Sequence, residues 1–154
     1  MSRGNSLIEL LVVTVILSVI ATITMPYASM VTKRNKEVEL KQTLIHVRRA
    51  IDQFHIDWSD GKLSKFDSQI SKNGYPTSLK VLIEGVDGSE TGTVFKYLRR
   101  MPRNPFFPSL SEEEWKFRGY LDNLDSTVWN GEDVYDVSPN LTETALDGTQ
   151  YEAW

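Results

Sequence analysis

The chain of 154 residues contains no cysteine, only two histidines, and no excess of basic charge, with 17 Lys plus Arg against 21 Asp plus Glu. Without cysteine there is no disulfide framework, no thiol nucleophile and no Cys-ligated zinc. Without a basic balance there is no footprint of a general nucleic-acid binder. His46 and His55 lie nine residues apart, which on a helix is about 180° around the axis, so they cannot share a metal. No Gly-rich phosphate loop and no serine placed near a histidine offers an activated nucleophile. The chain therefore reads as a non-enzyme of at most one small domain.

What is present is unevenly distributed. Leu10 to Thr32 is a run of 23 residues without a charge, whereas residues 111 to 154 hold eleven acids and two bases. As a helix the run is about 35 Å long, against a hydrocarbon core of about 30 Å, so it can span a bilayer. A cleaved secretory signal is the rival reading. It wants a positive n-region and small residues at the cut, but Arg3 is offset by Glu9, and Pro26, Tyr27 and Met30 interrupt an A-x-A pattern. Hydroxyls at Thr14, Ser18, Thr22 and Thr24 are compatible with a span because they can bond back to helix carbonyls. Glu9 has two readings from the residues alone: an intramembrane acid needing a partner, or a helix-start acid at headgroup level favouring the macrodipole.

Beyond the span, Leu40, Leu44, Val47, Ile51, Phe54 and Trp58 recur at steps of 4, 3, 4, 3 and 4, which predicts one buried helical stripe. Glu37 with Lys41, and Arg48 with Asp52, are spaced for i,i+4 pairs. Pro26 is read as a tolerated kink, giving one helix of about fifty residues that ends near Trp58 to Asp60. A coiled coil fits the spacing also, but the stripe covers only about three heptads. Residues 61 to 110 read as loops with two short helices, Leu79 to Glu84 and Val94 to Arg100, the latter stopped by Met101-Pro102. Residues 116 to 121 and 134 to 137 alternate as strands, with a third pairing segment near 145 to 154. The fold class is α+β, with a small antiparallel sheet covered by the helical stripe.

Arg3-Gly4-Asn5-Ser6-Leu7-Ile8-Glu9-Leu10-Leu11, followed by the apolar helix and Pro26, resembles the class III signal of type IV pilins and type II secretion pseudopilins. Gly74-Tyr75-Pro76-Thr77 and Tyr97 to Pro105 are similar to the loop of the major pseudopilin family, general secretion pathway protein G. Asp133 to Val137 and Ala145 to Thr149, closing on Trp154, resemble the end of a divergent branch of it. The resemblance implies a pilin-like fold with residues 1–4 a leader, 5–32 a membrane and polymerisation helix, 33–60 the amphipathic spine of a head, and 61–154 the globular head. It implies cleavage between Gly4 and Asn5 by a prepilin peptidase and N-methylation of Asn5, where the family usually has Phe or Met.

By the same resemblance the freed amine of Asn5 can pair with Glu9 of a neighbouring subunit, although residues 5 and 9 are also one helical turn apart and can pair within a chain. The implied product is a single-pass bacterial inner-membrane protein with a periplasmic head, assembled into a pseudopilus that drives type II secretion. Positive-inside counting over Lys33, Arg34 and Lys36 points the other way, and the family orientation is followed. Implied partners are further copies of itself in a helical homopolymer, the peptidase, the secretion assembly platform with minor pseudopilins, and the membrane, with no nucleic acid. No cofactor is required. Family calcium would fall among Asp133, Asp136 and Asp147, while solvated acids are the alternative. A type IV pilin, a DNA-uptake pseudopilin and a non-polymerising membrane-anchored periplasmic binding domain are the rival functions.

Overall fold

The computed structural model describes residues 6–65, 67–90, 92–107, 109–123, 126 and 128–154, and for residues 23–26 the backbone alone. A single helix, α1, runs Leu7–Ser59. The chain divides after Lys36 into two units.

In the first unit every described side chain from Ser6 to Thr32 is exposed, and Leu7, Leu11 and Leu17 keep 86%, 61% and 58% of their surface. Its many Val, Ile and Thr residues are poor helix formers in water. In hydrocarbon the same segment has little choice, because only intrasegment hydrogen bonding satisfies its backbone. The hydroxyls follow that logic. Thr14 donates to the Leu10 carbonyl at 3.1 Å, Ser18 to Thr14 at 2.8 Å and Thr22 to Ser18 at 2.8 Å. The side chain of Thr24 lies outside the described residues.

In the second unit the expected stripe is the core. Leu40, Leu44, Val47, Ile51 and Phe54 are buried and Trp58 is partly so. They meet Leu63, Leu79, Leu82, Val86, Trp115, Val134, Val137 and Tyr151 in one cluster. A second helix, α2, is Leu79–Glu84. It stops at Gly85, whose φ of +95° suits glycine, and where a Cβ would come within 2.8 Å of the Phe95 carbonyl oxygen.

The helix expected at Val94 to Arg100 is not formed. Strand β1, Val86–Asp87, pairs antiparallel with β2, Val94–Phe95, and the Tyr97 and Leu98 N–H groups both donate to the Leu82 carbonyl. Seven residues nucleate a helix poorly, so these tertiary backbone bonds prevail. Strands β3, Trp115–Arg118, and β4, Asp136–Pro139, pair with Phe117 opposite Val137. β3 is shorter than expected because Tyr120 and Leu121 turn away, and β4 keeps the expected length but begins two residues later, because the Val134 N–H donates to the Pro76 carbonyl at 2.8 Å. The carboxyl-terminal segment makes an isolated Thr144 to Gln150 bridge and a 3-10 turn at Tyr151–Ala153, and it does not join the β3–β4 pair. Among the described residues the architecture is α+β, a long amino-terminal helix followed by two small antiparallel sheets where one was expected.

Candidate functional site

Glu9 is the acid in the first turn of α1 and the sole charged residue from Leu7 to Thr32. It is exposed and flanked by exposed Ile8 and Leu10. Magnitudes separate its two readings. A carboxylate carried toward the bilayer centre costs about 2.5–3.5 kcal/mol, while the helix macrodipole returns about 0.3–1 kcal/mol. The dipole alone is too small, so a buried Glu9 has to be neutralised, by a cation or by taking up a proton. Gly4 and Asn5, the predicted cleavage pair, lie outside the described residues. α1 continues through position 26, but the predicted kink falls where side chains are outside the described set. The helix is long and apolar enough to cross a membrane.

The three acids singled out for calcium do not converge. Asp136 accepts from Arg48 Nε at 2.7 Å on one oxygen and from an Arg118 guanidinium nitrogen at 3.0 Å on the other. Asp133 is buried and accepts from the Tyr120 N–H at 2.8 Å and from Asn73 Nδ2 at 3.2 Å. Asp147 accepts from both the hydroxyl and the N–H of Thr149 at 2.6 and 3.0 Å and lies 3.6 Å from Lys41 Nζ. Those Thr149 bonds, with Lys41, hold its carboxyl below the usual range. Calcium asks for six to eight oxygens around one point. Among the described residues no three His, Cys, Asp or Glu side chains form a metal-holding group, and two guanidinium groups sit where a cation would have to approach Asp136. These residues do not fit calcium.

The carboxylates that the head buries were not prominent in the sequence. Glu37 accepts from the Tyr151 hydroxyl at 2.7 Å and the Leu146 N–H at 2.8 Å. Asp57 accepts from Lys62 Nζ at 2.9 Å, Gln53 Nε2 at 3.1 Å and the Tyr97 hydroxyl at 3.1 Å. Glu37 and Arg48, expected to pair along the helix with Lys41 and Asp52, are thus given partners across the fold. Their positions flanking the apolar stripe were the available signal. His46 is exposed, whereas His55 is half-buried and stacked on Tyr75 at 4.3 Å, so the two serve different surroundings.

Residues 1–25 match the family model described as the prokaryotic N-terminal methylation motif. Neither the curated proteins nor the solved structures give a significant match to the chain. The matched segment is a type IV pilin-like prepilin signal, and with the apolar helix behind it the chain fits a membrane-anchored single-pass protein.

Proposed function

We propose that this protein is a structural subunit of a type II secretion pseudopilus. The observation that carries the reading is the methylation motif over residues 1–25 with Glu9 as the sole charge in the exposed apolar helix behind it. In this reading prepilin peptidase cuts between Gly4 and Asn5 and the new amine is methylated. Residues 7 to 31 hold the subunit in the inner membrane with its head in the periplasm. Assembly transfers the apolar helix from lipid to a bundle of like helices, where each Glu9 is neutralised by an Asn5 amine. The work is mechanical: subunit addition, driven by a separate assembly platform, extends a filament that pushes exported proteins outward.

The choice of secretion over a surface pilus or DNA uptake is supported by the absence of a cysteine pair and by the eleven acids against two bases from residue 111 onward.

The test expresses the full chain with and without a prepilin peptidase and weighs it. Loss of Met1 to Gly4 only with the peptidase, together with loss of protein export when the gene is deleted in its host, is expected. An intact mass with monomeric behaviour in detergent refutes the prepilin reading. Normal export with loss of DNA uptake or of surface pili moves the protein to those systems.

A further inference from the structure

Two unlike surfaces flank the part of α1 that lies in the head. A groove between the helix and the segment after β2 is lined by Glu39 and His46 on one side and Arg99, Arg100 and Arg103 on the other, over Leu98. The three arginines are exposed, and the ion pairs among the described residues do not use them.

The second surface is aromatic and acidic. Tyr75 stacks between His55 and Tyr120, at 4.3 and 5.4 Å, and Tyr135 meets both tyrosines edge-on at 5.2 and 5.6 Å. Tyr120 and Tyr135 remain 53% and 39% exposed, and exposed Glu132 precedes in sequence the Asp133 that holds the Tyr120 N–H. The Tyr120 backbone is fixed by buried Asp133, so this face is set before any partner arrives.

His46 marks the first surface and His55 the second. Nine residues of helix separate them, about 180° around the axis and about 13 Å along it. On one copy the two surfaces face away from each other and cannot meet. Their exposed charges are opposite in sign, Arg99, Arg100 and Arg103 on the first and Glu132 on the second. Contact between two different patches on identical copies is heterologous, and it repeats without closing unless its rotation happens to form a ring.

We propose that the arginine groove of one head receives the Tyr120 and Tyr135 face and Glu132 of the next head. One guanidinium group lies over the exposed Tyr120 ring and another pairs with the Glu132 carboxylate. The fold already uses this chemistry internally, with Arg118 5.7 Å over the Tyr135 ring. The inference rests on the filament reading above and names the head surfaces through which successive subunits meet.

The absence of cysteine makes a direct test clean. The full chain carrying both Arg103→Cys and Glu132→Cys, expressed in membranes with the peptidase and oxidised, should give a ladder of dimers and higher multimers. Either single variant should give none. In the cysteine-free chain, R99E/R100E/R103E should lower sedimentable filaments about tenfold or more, and adding Glu132→Arg should restore part of the loss. That rescue separates a lost contact from a misfolded head.

A ladder without filaments upholds the contact and removes the filament reading. Filaments without a ladder overturn the contact and leave the filament reading intact. Absence of both overturns both, and a dimer formed by either single variant overturns the heterologous geometry.

Discussion

Asp57 shows how a buried charge is kept in the head. Burial raises its pKa, but the hydrogen bonds from Lys62, Tyr97 and Gln53 outweigh burial and hold the carboxyl below its ordinary range. Tyr97 moves the other way, pushed up by its own burial and by donating to that carboxylate. A carboxyl with a depressed folded pKa contributes stability that is present above its unfolded value, about 3.9, and is lost as pH falls through the folded value. Asp57→Asn should therefore be less stable than the parent by about 1–3 kcal/mol at pH 7, with the gap closing below about pH 4. Urea unfolding of the full chain in mild detergent at pH 7 and pH 3 measures this; an equal deficit at both values contradicts it. The acids assigned to calcium carry a second prediction. Because Asp133, Asp136 and Asp147 spend their oxygens on separate partners, a chelator should leave the melting temperature unchanged, and a clear downward shift would restore the metal reading.

Between elements, α1 is joined to the carboxyl-terminal segment at two points eleven residues apart. Glu37 holds Tyr151 and Leu146, and Arg48 holds Asp136, the Val137 carbonyl at 3.0 Å and the Trp154 main-chain oxygen at 2.6 Å. Tyr151 and Trp154 then contact each other edge-on at 5.0 Å, which links the two points. Tyr151→Phe and Arg48→Met should each cost about 1–3 kcal/mol, and together they should deviate from additivity by at least about 0.5 kcal/mol. Strict additivity in a double-mutant cycle shows that the segment is held by two independent ties.

The same residues mark how far sequence reasoning reaches. The stripe from Leu40 to Phe54 was legible because helical periodicity is local and each position repeats the signal. Arg48 was misassigned to Asp52 because an i,i+4 pair is visible in sequence yet contributes only about 0.2–0.5 kcal/mol, less than three partners across the fold. Val94 and Phe95 were misread because their strand exists only through pairing with Val86 and Asp87. At the site, the prepilin-like signal matched over residues 1–25 was legible as a spaced motif. The fates of Asp133 and Asp136 were not, since Asn73 and Arg48 approach them from 60 and 88 residues away.

For the whole molecule, the governing term is the apolar surface of the first unit. Eleven exposed Leu, Ile and Val side chains from Leu7 to Ile20 correspond to roughly 15–30 kcal/mol of unrealised burial. Glu9 opposes insertion by about 2.5–3.5 kcal/mol at most, so it cannot keep the helix out of a membrane. In the proposed filament its task is to distinguish lipid from a bundle in which the amine of a neighbouring subunit meets it. Replacing Glu9 by Gln removes that distinction while leaving the leader and the apolar run in place. The variant should therefore enter the membrane fraction normally and lose Met1 to Gly4 normally. Its filaments should fall by roughly 10²-fold, the equivalent of losing about 2.5–3.5 kcal/mol per subunit contact. Fractionation, mass measurement and sedimentation of sheared filaments read the three quantities separately. Filaments at the parental level would show that apolar packing alone drives assembly and that Glu9 merely begins a helix; unprocessed chain would place its role at the peptidase instead.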